Sequence, residues 1–305
     1  MINQTSFVGS KRILITSAVT CASIYIVIFA LLVVNQRSLI FIGSASHYSP
    51  ETQIQPIKFS SVLHLQTPRL HDEIPALLAY ALLPTGLRDP DERKRPTILF
   101  FYGNGGNINT YSEIIDNLRS HDVNVLVPEY PGYGFASGKA SDQGCYDAAD
   151  AAYTFARKNQ SPESAIIAAG WSLGSGVAIH LADSRPVKGL AIFSAYTSMA
   201  DMASNQYPIF PGSLLRVALL FPFPSEATLR KVHCPVFIAH GTDDSVIPYS
   251  MFKRMKAAPG GPVTACSVPG AGHGVLTTEG DGKVYRSLSI WLASICSRHN
   301  PHDYR

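Results

Sequence analysis

The sequence is poor in cysteine, in charge and in repetition. Five cysteines among 305 residues, none in a Cys-x-x-Cys pair, exclude a zinc ribbon and a small disulfide-stapled scaffold. Charged residues make up 15% of the chain, and 25 basic against 22 acidic side chains leave +3, too even a balance for a nucleic-acid binder. There is no Gly-x-x-x-x-Gly-Lys phosphate loop, no cluster at metal-ligand spacing, no internal repeat and no low-complexity tract. No metal, organic cofactor or nucleic acid is therefore expected. What the chain does have is length and apolar content, 46% hydrophobic, sufficient for a large buried core.

Charge and proline are both absent from residues 13–34. As a helix rising about 1.5 Å per residue, this run spans roughly 33 Å, the thickness of a bilayer's hydrocarbon core. Lys11 and Arg12 precede it and Arg37 follows. The bias predicts residues 1–12 on the cytoplasmic side and a single-pass anchor, with the body across the membrane in an extracytoplasmic (periplasmic, lumenal or extracellular) compartment. Two other readings stay open. One is a cleaved signal peptide ending near Ser44-Ala45-Ser46, although such peptides carry apolar cores of only about 7–15 residues. The other is a buried helix of a soluble fold. Cys21 lies within the run. Cys234 opens one expected strand and Cys266 falls near the end of another, an offset too long for a disulfide, so free thiols are expected.

Residues 35–56 read as a juxtamembrane connector with some order around Leu39–Ile42, and 57–305 as the body. Short apolar runs at 57–65, 75–83, 97–102, 123–128, 165–170, 189–194, 235–240 and 262–268 predict eight strands. A polar turn at Arg69–Glu73 separates the first two, and Arg88–Arg95 reads as a solvated loop. Helical patterns lie at Tyr111–Ser120, at Asp142–Lys158 behind the cap Ser141, and at Asp281–Ser297, where Val284, Leu288, Trp291, Leu292 and Ile295 form one stripe. The alternation predicts an α/β fold, a mostly parallel sheet covered on both faces. Residues 197–230 break this rhythm. Their prolines forbid a long element, and their apolar content suggests either a cap over a pocket, in contact with acyl chains, or a helix and loop packed on the sheet.

Gly170-Trp171-Ser172-Leu173-Gly174 matches Gly-x-Ser-x-Gly, a pattern that is weak alone. Its context strengthens it. The match closes the apolar run Ala165–Ala169 and opens a helical stretch Leu173–Asp183, a junction where a sharp turn lifts a serine hydroxyl off the sheet end. Such a hydroxyl needs a base, an acid that orients the base, and donors for an oxyanion. Asp244 follows the strand 235–240, and His273 lies in Pro269-Gly270-Ala271-Gly272-His273-Gly274 after the strand 262–268. Both fall on the carboxyl edge that parallel strands share with Ser172. Asp243 is the alternative acid and otherwise a turn residue. His240 precedes the acid and reads as a structural hydrogen-bonding residue, and His180 as a packing residue.

With these residues in place, the chain resembles the α/β-hydrolase superfamily from about residue 57 to 297. Phe101-Tyr102-Gly103-Asn104-Gly105-Gly106-Asn107 resembles the family's oxyanion loop, with Tyr102 where histidine is common, and Glu129–Gly138 resembles its Glu-Tyr-x-Gly-Tyr-Gly-x-Ser loop. Together with Gln36-Arg37-Ser38-Leu39-Ile40 after an apolar span, these are similar to a membrane-anchored serine-hydrolase branch that includes depalmitoylases, monoacylglycerol lipases and lysophospholipid lipases. The resemblance implies an eight-stranded sheet with an acyl-enzyme chemistry. Ser172 would be the nucleophile, His273 the base, Asp244 the orienting acid, and the main-chain N–H groups of Leu173 and Asn104 the oxyanion hole. The implied substrate is a small acyl ester, a thioester or a lipid. His240-Gly241-Thr242 and Gly-Trp-Ser also resemble oligopeptidase catalytic domains. A non-catalytic membrane-bound binding protein on the same fold is the remaining alternative.

Overall fold

The structure is a computed structural model that describes residues 4–45, 54–67, 73–82 and 91–296. The expectations on Ser46, on Arg69–Asp72, on the last residue of the second apolar run, on Arg88–Pro90 and on Ser297 lie outside these residues, as does part of the 35–56 connector.

The chain opens with α1 (Gln4–Val34) and the short α2 (Gln36–Ile40). α1 starts before the charge-free run because Lys11 and Arg12 are good helix formers and no proline interrupts the stretch. Its Leu14–Val34 portion is long and apolar enough to cross a bilayer, a test that an N-terminal signal sequence also passes.

Eight strands follow in one sheet: β1 (Ser60–Gln66), β2 (Glu73–Ala79), β3 (Thr97–Phe101), β4 (Asn124–Pro128), β5 (Ile166–Trp171), β6 (Gly189–Phe193), β7 (Val236–Gly241) and β8 (Val263–Val268). Their order is β1-β2-β4-β3-β5-β6-β7-β8. The β1–β2 and β2–β4 pairs are antiparallel and every later pair is parallel. β3, β4 and β6 are buried along their whole length, as expected of strands covered on both faces.

The connecting helices are α3 (Ser112–Arg119), α4 (Asp142–Asn159), α5 (Leu173–Ser184), α6 (Met199–Gln206), α7 (Gly212–Ala218), α8 (Ser225–Leu229), α9 (Tyr249–Ala257) and α10 (Lys283–Cys296). Ser141 caps α4 as expected, its hydroxyl accepting from Gly144 N. From β3 the chain steps one way to β4 and then returns past β3 to β5. Right-handed crossovers therefore put α3 on one face and α4, α5 and α9 on the other. α10 joins α3, with Tyr285 stacked on His121. This reversal opens a crevice beyond the carboxyl ends of β3 and β5, where ligands bind in open α/β sheets. The 197–230 segment is three short helices, α6, α7 and α8, broken at its prolines. All five cysteines are free thiols.

Candidate active site

Ser172 sits between β5 and α5 with φ 54° and ψ −121°, a conformation that disfavours any side chain. The flanking glycines explain how the turn closes. A Cβ on Gly170 would lie 2.1 Å from Gly174 O, and one on Gly174 would lie 1.9 Å from Phe101 O, so only hydrogen fits at either position. The main chain clamps the turn further, with Ser172 N donating to Phe193 O (3.0 Å) and Ser175 Oγ donating to Ser172 O (2.6 Å).

Asp244 and His273 meet directly. His273 Nδ1 lies 2.8 Å from Asp244 Oδ2, while Asp244 Oδ1 accepts from the N–H groups of Val246 (2.9 Å) and Ile247 (2.8 Å). Burial opposes ionisation of Asp244. Hydrogen bonds from His240, His273 and Ile247 N outweigh it and hold the carboxyl well below the usual carboxylate range. An ionised carboxylate only accepts, so His273 Nδ1 carries the hydrogen and Nε2 presents its lone pair. Asp243, the alternative acid, is exposed and among the described residues its carboxylate accepts only from Thr242 Oγ1.

His273 reaches the Ser172 turn through its own carbonyl, which accepts from Trp171 Nε1 (3.2 Å) and from Ser194 Oγ (3.0 Å). Trp171 and Ser194 carried no signal in the sequence, because neither belongs to a motif position that chemistry demands. Ser172 Oγ has no hydrogen-bond partner among the described residues and retains some solvent exposure.

Opposite Ser172 stands the loop after β3. A Cβ on Gly103 would lie 3.4 Å from Ser172 Cβ. Among the described residues, neither Leu173 N nor Asn104 N has an acceptor. Three tyrosines hold the loop's carbonyls: Tyr130 OH donates to Tyr102 O (3.0 Å), Tyr133 OH to Asn104 O (3.3 Å) and Tyr111 OH to Gly105 O (2.5 Å). Tyr102, where histidine is common, donates its hydroxyl to the buried Glu129 and accepts from Tyr130 N. Burial pushes the Glu129 carboxyl up to about 7, against hydrogen bonds from Tyr102 and the main chain of Ile108 and Phe135. The segment after α1 also takes part. Gly43 N donates to Asn104 O (2.7 Å), and Asn104 Nδ2 donates to Ile40 O (3.3 Å).

His240 is fully buried, with Nε2 2.9 Å from Ile247 O and 3.3 Å from Asp244 Oδ2. Both neighbours are acceptors, so Nε2 donates, and its role is to hold the acid's turn. His180 stacks on Tyr146 with ring centroids 3.7 Å apart, a packing contact.

Sheet order, turn geometry and site together define the α/β-hydrolase fold, and a family profile described as the alpha/beta hydrolase fold matches residues 96–233. The chain is 35% identical over 179 residues to uncharacterized protein MT2364 of Mycobacterium tuberculosis, an alignment covering 58% of this chain and 63% of that one. It is 32% identical over 184 residues to alpha/beta hydrolase domain-containing protein 17B of Xenopus laevis, covering 58% and 60%. The chain thus spans less than two thirds of the length of these curated relatives. Among solved structures, a thermophilic esterase from Thermogutta terrifontis superposes with a TM-score of 0.56 at 15% identity, over 78% of this chain and 100% of that one. These similarities support the α/β-hydrolase fold of this chain.

Proposed function

We propose that this protein is a serine hydrolase that cleaves a carboxylic ester or thioester and is tethered to a membrane by α1. The observation that carries this reading is the Asp244–His273 hydrogen bond at 2.8 Å, set on the same sheet rim as the strained Ser172 turn. Ser172 Oγ attacks the substrate carbonyl while His273 Nε2 takes its proton. The resulting oxyanion accepts from the free N–H groups of Leu173 and Asn104. As the tetrahedral adduct collapses, the bond to the alcohol or thiol breaks and His273 returns its proton to that leaving group. Water, deprotonated by His273, then splits the acyl-enzyme to the acid and free Ser172.

The fold hosts many chemistries, so the test must read the site itself. A fluorophosphonate probe is expected to label the full-length protein and not its Ser172→Ala variant; undiminished labelling of the variant sinks the proposal. Nitrophenyl esters, acyl thioesters and peptide amides, compared at equal enzyme, separate esterase and thioesterase from peptidase. For the anchor, Lys11 and Arg12 against Arg37 favour a body across the membrane from the cytoplasm. A C-terminal reporter active only in the cytoplasm would reverse that orientation.

A further inference from the structure

We propose that a cavity between α1, α2 and the α6–α7 segment binds a single long acyl chain, so that the N-terminal helix forms one wall of the substrate site. The inference rests on the ester or thioester reading above and adds the substrate's class to it.

The cavity has a volume of about 510 Å³ and is lined by Phe29, Leu32 and Val33 of α1 and by Met199, Met202 and Leu215 across from them. The end of α1 is docked there. Phe210 packs against the rings of Tyr25 (4.7 Å) and Phe29 (5.2 Å), and Tyr25 OH donates to Ile209 O (3.3 Å). Gln36 fastens the other end, its amide donating to Ala218 O and accepting from Leu220 N, both at 2.8 Å.

Position ties this cavity to the catalytic rim. Ile40 lines it, and Ile40 O accepts from Asn104 Nδ2. Val246 also lines it, and Val246 N donates to Asp244 Oδ1. The space therefore lies between the segment bonded to the oxyanion loop and the turn that carries the acid. A larger cavity of about 720 Å³ has no such link, since it opens among Arg95, His121 and Asp122 at the amino ends of β3 and β4.

Chemistry narrows the occupant. Among the described residues none of the lining is charged; its polar members are Gln206, Tyr207, Ser245 and Gln36, whose amide is already spent on main-chain groups. Most of the wall is hydrocarbon and offers no charge to pair with an ionic ligand, whereas each methylene buried there favours binding by about fourfold. Two methionines give the wall an adaptable surface suited to a flexible chain. At about 30 Å³ for a water-sized group, the volume holds about 17 such units, the scale of one long acyl chain rather than two. At the mouth, Leu39, Ile42 and Val246 are exposed apolar side chains, so a chain can enter along a greasy edge continuous with α1.

The experiment uses the full-length protein in micelles. The ratio of kcat/KM for nitrophenyl palmitate over nitrophenyl acetate is compared among wild type, Leu32→Trp and Met202→Trp, with Val34→Trp as the control on the exposed side of the same helix. The ratio is expected to fall at least about tenfold in the two cavity variants and to stay at the wild-type value in the control. Binding of a fluorescent fatty acid to Ser172→Ala, with and without Leu32→Trp, gives a second readout that needs no turnover. If Ser172 takes no fluorophosphonate label yet Leu32→Trp weakens fatty-acid binding, the hydrolase reading fails and the cavity stands. If wild type is labelled but the tryptophans change neither ratio nor binding, the cavity assignment is wrong.

Discussion

Ser172 pays for its exposure with backbone strain, and the surrounding residues are chosen to hold it. Gly174 is the clearest case: alanine would drive a Cβ to within 1.9 Å of Phe101 O. Gly174→Ala is expected to cost about 1–3 kcal/mol or more, read as a lowered denaturation midpoint. For the acid, Asp244→Asn should lower kcat by about 10³–10⁴-fold, because a neutral amide no longer holds His273 in the tautomer that frees Nε2. Steady-state turnover of a nitrophenyl ester checks this, and a loss under tenfold would remove Asp244 from the role. Glu129 makes a prediction about stability. Its carboxyl ionises near its ordinary value of 4.5 when unfolded and near 7 when folded, so the folded chain holds the extra proton between those pH values. Stability from this group is complete below about pH 4.5 and is lost as pH rises through about 7, by at most roughly 3 kcal/mol. Thermal melts of Glu129→Gln should show a flatter pH dependence across that window than wild type.

At the scale of elements, the sheet edge that carries the candidate site was legible because strands and helices have local periods. The runs at 165–170 and 235–240 matched β5 and β7 to within a residue. The order Ser172, Asp244, His273 could then be laid on one edge of a parallel sheet. The long-range partners of residues 35–45 were not legible. Order around Leu39–Ile42 was expected from its apolar run, and Phe41 there is fully buried against Phe221 and Phe223; that Gly43 abuts the loop after β3 had no signal in the sequence. Arg37, counted in the sequence as a flanking charge, donates to Ala140 O and lies over the Phe221 ring, 5.0 Å from its centroid. A Cβ on Gly43 would lie 2.5 Å from the Tyr133 ring and 2.8 Å from Gly106 O. Gly43→Val should therefore displace the loop and lower kcat on a short ester by about tenfold or more, with KM much less affected. A variant with normal kcat would show that the loop does not depend on this contact.

For the whole molecule, α1, α2 and the sheet-bearing body pack as one unit rather than as a tether and a cargo. A deletion ending at Val34 keeps Gly43 N on Asn104 O, while one ending at Gln53 removes that bond and Phe41 with it. Turnover of nitrophenyl acetate should survive the first deletion far better than the second, by about tenfold or more, the loss expected when an oxyanion donor is misplaced. Equal rates would make the segment a passive linker.

Local pattern alone determined the eight strands, the helices α3, α4, α5 and α10, the Gly-x-Ser-x-Gly turn and the charge-free N-terminal run, because each is written within a short stretch of neighbouring residues. Tertiary structure alone decided that Asp244 rather than Asp243 meets His273, that Tyr102 turns to Glu129, and that Ile40 and Gly43 brace Asn104. Those pairings join residues 27 to 64 positions apart. Separations of that size leave no periodic trace, so only the packed sheet, by bringing its loops to one rim, selects the partners.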